Sequence, residues 1–146
     1  MKYFFDTNVI SNLVRKDEAA IAKLQEIASD ESSELYTNRL VYLESLRAIP
    51  LTHKKLFEST KETLESFEKL EITQEIYDKS IEFARFCKSK GISLGKCEAI
   101  DYIHFITAKY YGLEIVSFDG DMDRLEEKYQ EFLLVNTQNS DEVKNV

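Results

Sequence analysis

Two predicted strands of this chain each deliver an aspartate at their carboxyl end. The apolar run 3–5 is followed by Asp6, and the run 113–117 leads to Asp119, with Asp121 two residues further on. Uninterrupted apolar runs suit strands buried on both faces, and open α/β sheets bind ligands beyond the carboxyl ends of such strands. Either acid alone is more simply a turn former or a helix N-cap. A chemical role depends on further acids that converge on the same edge.

A third acid lies on the apolar stripe of a predicted helix. Glu44 shares one helical face with Leu40, Val41 and Ala48, which stand three or four residues away from it. A carboxylate on such a stripe must be paired, protonated or bound to a cation. Arg47, three residues on, is the candidate for a purely structural ion pair.

A fourth acid lies on the helix predicted over residues 95–111. Asp101 follows Glu98 by three residues, so both face the same side of that helix. Like charges at this spacing disfavour a helix by about 0.2–0.5 kcal/mol, and a bound divalent cation would reverse the sign. His104, on the same helix, is predicted to be a hydrogen-bonded packing residue and not a metal ligand.

These four acids occupy comparable positions, after parallel strands or on inward helix stripes: Asp6, Glu44, Asp101 and Asp119. Unpaired carboxylates gathered at one edge repel each other, which raises their pKa values. A set of hard oxygen ligands without accompanying cysteine or histidine suits Mg²⁺ or Mn²⁺ and not zinc. Such ions align water and stabilise charge on a phosphate that is being cleaved.

The elements that must position these acids alternate between strand and helix. This order predicts an α/β fold with a central parallel sheet of about four to five strands, covered by helices on both faces. The sequence predicts a single domain over residues 1–137 and a flexible tail over 138–146. Within the domain, residues 51–91 are expected to form a helical arm that begins with one helix from Thr52 to Leu70. The run 132–135 is predicted as the final strand.

Composition limits the class of protein. With 146 residues, 43% of them hydrophobic, the chain can bury the core of one domain, and no apolar run reaches the roughly 20 residues that span a bilayer. We therefore expect no membrane association. Cys87 and Cys97 are too few for a disulfide framework and match no zinc spacing, which favours buried thiols in a reducing cytoplasm.

The net charge of −8 argues against broad electrostatic binding of nucleic acid, although a nuclease can bring phosphate to its acids through a divalent metal. One stretch opposes the overall balance, because four basic residues occur there with no acid between the first and the last. Its side chains are candidates for contacts with RNA phosphates, or simply for a solvated helix end that complements the helix dipole: Arg85, Lys88, Lys90 and Lys96.

The order of these motifs resembles that of the PIN domain family, and most closely that of the VapC-type ribonuclease toxins of toxin–antitoxin pairs. The resemblance extends from Met1 to about Val135. It rests on four segments, each of which contains one of the four acids: Asp6-Thr7-Asn8-Val9-Ile10, Val41-Tyr42-Leu43-Glu44, Asp101-Tyr102-Ile103-His104-Phe105-Ile106-Thr107-Ala108 and Ile115-Val116-Ser117-Phe118-Asp119-Gly120-Asp121.

The resemblance implies a PIN-like three-layer fold and a Mg²⁺- or Mn²⁺-dependent endoribonuclease with an RNA substrate and a protein antitoxin. A homodimer is also expected, since apolar residues of the helical arm could form a dimer or partner surface. The resemblance maps the family's catalytic and metal-binding acids onto Asp6, Glu44, Asp101 and Asp119, with Asp121 as an auxiliary ligand and Thr7 and Asn8 as supporting groups. The chain departs from the family where small apolar residues are usual, since it carries Tyr102, His104 and Phe105 after Asp101, and Glu98 adds an acid without an assigned role.

Three other functions are compatible with parts of this pattern. A catalytically silent or housekeeping PIN-domain protein would act in RNA processing or as a protein-binding scaffold, and loss of a ligand acid would favour it. A phosphoacceptor receiver domain requires paired acids near the N-terminus and a lysine after a late strand, where this chain has Phe118 and Asp119. A haloacid-dehalogenase-like phosphatase requires an acid two residues after Asp6, where Asn8 stands.

Overall fold

The computed structural model describes residues 1–93 and 98–144 of the chain. These residues form four strands and seven helices, which alternate broadly as predicted. In chain order they are β1 (Lys2–Phe5), α1 (Thr7–Val14), α2 (Glu18–Ala28), β2 (Glu34–Asn38), α3 (Arg39–Arg47), α4 (Lys54–Glu65), β3 (Glu68–Leu70), α5 (Gln74–Ser89), α6 (Glu98–Tyr111), β4 (Glu114–Val116) and α7 (Asp121–Lys144).

The four strands form one parallel sheet in the order β3-β2-β1-β4, which confirms the predicted architecture. The chain proceeds from β1 through β2 to β3 on one side and then returns to place β4 on the other side of β1. The strand order therefore reverses between β1 and β4, where Phe5 is in register with Val116. In open parallel sheets this reversal leaves a crevice beyond the carboxyl ends of the two strands. Asp6 immediately follows β1 at this point.

The core consists of two clusters of buried side chains. The first packs the sheet and β1 against α1, α3 and α4, and it includes Phe4, Phe5, Val9, Val41 and Leu64. The second joins α5, α6 and α7 around a group of aromatic rings: Phe83, Phe105, Tyr129 and Phe132. Helices α4 and α5 thus pack in different clusters, so the segment predicted as one arm over 51–91 is divided between them.

Helix boundaries follow the capping residues of the sequence. Asp6, Asp17 and Asn38 each precede a helix, and each side chain accepts a hydrogen bond from a backbone N–H of the first turn. At the other end, α6 stops at Gly112, whose φ of +69° is readily adopted only by glycine. The chain then enters β4 directly, which places the carboxyl end of that strand beside Asp6.

The strand predicted over residues 132–135 is wrong, because these residues continue helix α7. The apolar residues Met122, Leu125 and Phe132 recur at helical spacing and are buried. By contrast, Leu134 is 65% exposed, so the apolar run is not buried on both faces as an interior strand would be. Helix α7 continues to Lys144, through most of the segment predicted as a flexible tail.

The single helix predicted from Thr52 to Leu70 is also wrong. Helix α4 ends at Glu65, and the next residues form the edge strand β3, which pairs with β2 through Tyr36 and Glu68. Glu68 and Lys69 gave no strand signal because charged residues are depleted in strands. They are accommodated here because both are exposed at the edge of the sheet, where charged side chains oppose further strand pairing.

Within the described residues, every helix is too short or too polar to span a lipid bilayer.

Candidate metal-binding site

Asp6 lies at the crevice between β1 and β4 and has two roles in the structure. Its backbone N–H donates to the carbonyl of Val116 at 3.0 Å and so extends the pairing of β1 with β4. Its Oδ1 accepts a hydrogen bond from the N–H of Thr7 at 2.8 Å, at the start of α1. The side chain is only 5% exposed. Asp6 is therefore both the N-cap of α1, which was the simpler interpretation from the sequence, and a carboxylate at the crevice.

Ser117 connects Asp6 to the loop after β4. Its hydroxyl donates to Asp6 Oδ2 at 3.1 Å and accepts hydrogen bonds from Asn8 Nδ2 at 3.2 Å and from the Asp119 N–H at 3.1 Å. The single donor position and both acceptor positions of the Ser117 hydroxyl are thus occupied. Asn8 Oδ1 accepts a further hydrogen bond from the Phe118 N–H at 3.2 Å. The start of α1 and the loop that carries Asp119 are held together by these bonds.

Sequence reasoning assigned Asn8 a supporting place but missed Ser117. The available signal was a hydroxyl residue directly after a buried strand and two residues before the candidate acid Asp119.

Asp119 and Asp121 lie at the beginning of α7. Asp119 Oδ1 accepts a hydrogen bond from the N–H of Asp121 at 3.0 Å. Asp121 Oδ1 lies 3.4 Å from Arg124 Nη1, an ion pair one turn along the helix. The structure thus gives Asp121 a basic neighbour, and its assignment as an auxiliary metal ligand remains a prediction.

Glu44 approaches Asp6 from helix α3. Its Oε1 accepts hydrogen bonds from Thr7 Oγ1 at 2.8 Å and from His104 Nε2 at 2.7 Å. Burial alone would raise the pKa of Glu44, but the hydrogen bonds from His104 and Thr7 and the charge of Arg47 outweigh it and lower that pKa. Arg47 therefore acts on Glu44 through its charge, which lowers the pKa of that carboxyl. His104 donates the shorter of the two hydrogen bonds to the Glu44 carboxylate.

Asp101 reaches the same crevice from helix α6 and is the acid most strongly affected by its neighbours. Burial, followed by the charges of Asp6, Glu44 and Asp119, raises the pKa of Asp101 to about 7 despite the opposing effect of His104. Burial likewise raises the pKa of Asp6, to which Glu44 adds a smaller contribution. The structure therefore brings Asp6, Glu44 and Asp119 close enough to Asp101 for their charges to affect its pKa, as expected for carboxylates that share a site.

Among the described residues, no three or more ligand-type side chains already stand in a metal-binding arrangement. The chemistry of the donor set nevertheless fits a hard divalent cation. All four donors are carboxylates. Burial, with a further contribution from the neighbouring acids, raises the pKa values of Asp6 and Asp101, and a bound cation would stabilise their charged forms. The only cysteine in the described part of the chain, Cys87, is buried in the cluster of α5, α6 and α7. The residues present thus suit Mg²⁺ or Mn²⁺.

The predicted basic stretch is exposed at the carboxyl end of α5, where Arg85, Lys88 and Lys90 all face solvent. The Lys90 ammonium lies 5.6 Å from the centre of the Phe86 ring. Lys96, the fourth basic residue, lies outside the described residues, as does Cys97. Glu98 is the first residue of α6, and its side chain is outside the described part of the structure.

The raised pKa of Asp101 predicts an unusual dependence of stability on pH. Between about pH 4 and pH 7, the folded metal-free protein retains a proton on Asp101 that the unfolded chain has released. The free energy of unfolding should therefore fall as pH rises through this range and level off above it. We expect a loss on the order of 2 kcal/mol, with allowance for solvent screening of a partly exposed carboxylate.

Urea unfolding in the presence of a chelator at several pH values between about 5 and 8 measures this dependence. Asp101→Asn should flatten this dependence, because asparagine has no proton to release. It should also raise the free energy of unfolding above pH 7, where Asp101 of the wild type carries a charge among other acids. A free energy of unfolding with the same dependence on pH in both proteins would contradict the raised pKa of Asp101.

Comparison with known proteins places this geometry in a family. Residues 3–128 match the PIN domain family, which is most of the chain. No curated protein sequence gives a significant match.

The solved structures that share the fold include the following three. VapBC2 from Rickettsia felis, bound to a DNA fragment from their promoter, gives a TM-score of 0.73 at 14% identity, over 86% of this chain and 93% of that one. FitAcB from Neisseria gonorrhoeae gives a TM-score of 0.68 at 22% identity, again over 86% of this chain and 93% of that one. A toxin–antitoxin complex from Klebsiella pneumoniae gives a TM-score of 0.60 at 19% identity, over 81% of this chain and 87% of that one. These identities support the common fold, and the family match covers the segments that carry all four acids. The chain belongs to the PIN domain family.

Proposed function

We propose that this PIN-domain chain is a Mg²⁺- or Mn²⁺-dependent endoribonuclease, the toxin of a type II toxin–antitoxin pair. The observation that carries the proposal is the crevice between β1 and β4, where Asp6, Glu44 and Asp119 lie close enough to Asp101 for their charges to add to the effect of burial on its pKa. Repelling carboxylates at such a crevice are costly without a cation, and perturbed acids of this kind cluster at functional sites.

The residues of this chain have separable parts in that activity. Asp6, Glu44, Asp101 and Asp119 would hold the ion, which when bound activates water and stabilises charge on the scissile phosphate. Ser117 and Asn8 hold the loop of Asp119 against Asp6. The burial of Asp6 limits the access of water to that side of the crevice. The bond from Ser117 orients the Asp6 carboxylate, and the other two hold the loop that carries Asp119, so the site is arranged before substrate arrives, as pre-organised sites require.

The partners of the chain follow from the same proposal. The structural neighbours include VapBC2 and a toxin–antitoxin complex, which supports a protein antitoxin for this chain. Exposed apolar side chains on α4 and α5, including Leu56, Tyr77 and Ile81, support protein partners, one of which would be a second copy of the chain. We further propose that the protein acts in the cytoplasm, where an antitoxin and RNA are both present.

A catalytically silent PIN domain is the second candidate, and one observation favours it. Glu44 is already hydrogen-bonded to Thr7 and His104, so one of the four acids has protein partners without any metal. Such a protein would act in RNA processing without cleavage or as a scaffold for other proteins. A cleavage assay distinguishes the two candidates.

The test of the proposal is incubation of the purified chain with single-stranded RNA and with DNA of the same sequence, each with Mg²⁺. The nuclease proposal predicts internal cleavage of RNA that increases with protein concentration and is absent from an Asp101→Asn preparation purified in parallel. Binding of RNA without cleavage at any Mg²⁺ or Mn²⁺ concentration would support the silent domain instead.

The exposed basic residues of α5 lead to a prediction about RNA binding. Replacing Lys88 and Lys90 together by alanine should weaken binding to RNAs of every sequence and flatten the dependence of affinity on salt. The slope should fall by about 0.7 per lost phosphate contact on a single strand. Binding titrations at several salt concentrations, in an Asp101→Asn background that cannot cleave, provide the measurement.

The matched control replaces Lys54 and Lys55 together by alanine. Both lysines are exposed on α4, so the control changes the net charge by the same amount. An equal salt slope in the two double variants would show that the lysines of α5 only solvate a helix end.

A further inference from the structure

His104 is a fully buried histidine that connects helix α6 to helix α3. Its side chain lies between Glu44 and Asn38, with Nε2 at 2.7 Å from Glu44 Oε1 and Nδ1 at 3.2 Å from Asn38 Nδ2. The imidazole ring also packs on Phe4, with ring centres 5.4 Å apart. Both ring nitrogens thus have polar partners, and one partner is an acid of the candidate site.

The cap of helix α3 determines which nitrogen of His104 carries the proton. Asn38 Oδ1 accepts a hydrogen bond from the N–H of Val41 at 3.0 Å, so the oxygen of this amide is directed at the helix. The amide nitrogen, a donor only, is therefore the atom that faces His104 Nδ1. Nδ1 must accept that bond, so the ring proton is on Nε2. Nε2 consequently donates to Glu44.

The hydrogen bonds to Glu44 leave its two oxygens in different environments. Thr7 Oγ1 and His104 Nε2 both donate to Oε1, and Oε2 takes part in neither bond. Two donors on one oxygen fix the rotation of the carboxylate about its terminal bond. The second oxygen then has a defined direction and can act as a ligand without first losing these bonds.

We propose that His104, itself oriented by Asn38, is a positioning residue that holds Glu44 with one oxygen engaged and the other presented to a divalent cation. This inference rests on the proposed function for the identity of the ion. Histidines in contact with ligand carboxylates of this kind act through the orientation of the ligand, and their loss weakens metal binding. The alternative is that His104 only fills space beside Phe4.

Two variants separate these two roles. His104→Leu keeps the bulk of the side chain and removes the donor. His104→Gln can place its amide nitrogen near the position of Nε2 and so retains a donor to Glu44.

The measurement is calorimetric titration of each protein with Mn²⁺ alone, with far-ultraviolet circular dichroism to confirm that each variant is folded. We expect His104→Leu to weaken Mn²⁺ binding roughly 10–100-fold and His104→Gln to recover most of the loss. At saturating Mn²⁺, RNA cleavage by His104→Leu should show a reduced kcat with an unchanged KM. Equal Mn²⁺ affinity in the wild type, His104→Leu and His104→Gln would overturn the proposal and assign His104 a packing role.

Nitrogen-15 NMR of the wild-type histidines gives a readout that needs no metal and no substrate. It should find the proton of the His104 ring on Nε2 in the wild type. A wild-type proton on Nδ1 would overturn the positioning role even if the chain cleaves RNA. Mn²⁺ binding that responds to these variants in a protein without cleavage would overturn the proposed nuclease alone. A wild type that binds no Mn²⁺ would overturn both.

Discussion

Replacing Asp101 by asparagine should reduce RNA cleavage by roughly 10²–10⁴-fold while the fold remains intact. The substitution preserves shape but removes one of the charges that would hold a catalytic cation, whose stabilisation of the transition state is worth several kcal/mol. Asp6→Asn should have an effect of similar size, since Asp6 lies at the same crevice and its pKa is also raised. Initial rates of cleavage at saturating RNA and Mg²⁺ give the comparison.

The matched control is Asp78→Asn, the same chemical change at an exposed position of α5. It should leave both the rate and the thermal midpoint close to those of the wild type. In the absence of metal, Asp101→Asn should be at least as stable as the wild type, because it relieves repulsion among the acids. A variant with normal circular dichroism and an undiminished rate of cleavage would remove Asp101 from the mechanism.

Removal of divalent metal should abolish cleavage, and Mg²⁺ or Mn²⁺ should restore it. The four acids supply no positive charge to the phosphate, and repulsion between them and RNA would oppose binding without a cation. Ca²⁺ should restore activity poorly, since it takes more ligands at longer distances than Mg²⁺ and in a less regular geometry. Rates measured after dialysis against chelator, and again after addition of each ion, test the prediction.

The rate of cleavage with Zn²⁺ provides a second comparison. The crevice offers carboxylate ligands, whereas zinc sites prefer sulfur and nitrogen ligands. Cleavage that survives exhaustive chelation would require a mechanism based on the protein groups alone, and the proposed assignment of the acids would then be wrong.

Much of the site could be predicted from the sequence because its main features are local. The apolar run 3–5 requires a buried strand, and Asp6 follows it directly. Gly112 ends α6 and brings the chain into β4 over a few residues, which fixes the placement of Asp119. The helical stripe of Glu44 and the position of Asp101 on α6 then direct both acids at the same edge.

What the sequence could not provide depends on contacts between distant segments. Ser117 bonds to Asn8 across 109 positions of the chain, and His104 bonds to Glu44 across 60. No local pattern indicates such a pair. The pattern placed Arg47 beside Glu44 because the two are close in sequence, whereas the structure gives the shortest hydrogen bond to a residue of another helix.

The two errors in secondary structure have a common cause, since short segments were judged by residue type without their tertiary surroundings. Edge strand β3 forms from charged residues because pairing with β2 outweighs their low strand propensity. The run 132–135 is apolar and β-branched in part, yet Phe132 packs against the rings of Phe83 and Phe86 as one turn of a continuous helix.

The thermal midpoint of the wild-type chain, measured as Mn²⁺ is added, tests most directly whether the four acids form a metal site. At an ion concentration about one hundred times the dissociation constant, binding contributes about 2.7 kcal/mol, which corresponds to a rise of roughly 5–10 °C for a domain of this size. The rise should be larger at pH 8 than near pH 5.5, because Asp6 and Asp101, whose pKa values are raised, must lose their protons to bind metal. Asp101→Asn should show little or no rise under the same conditions. A wild-type midpoint that does not change with Mn²⁺, or that rises equally in Asp101→Asn, would contradict the proposed site.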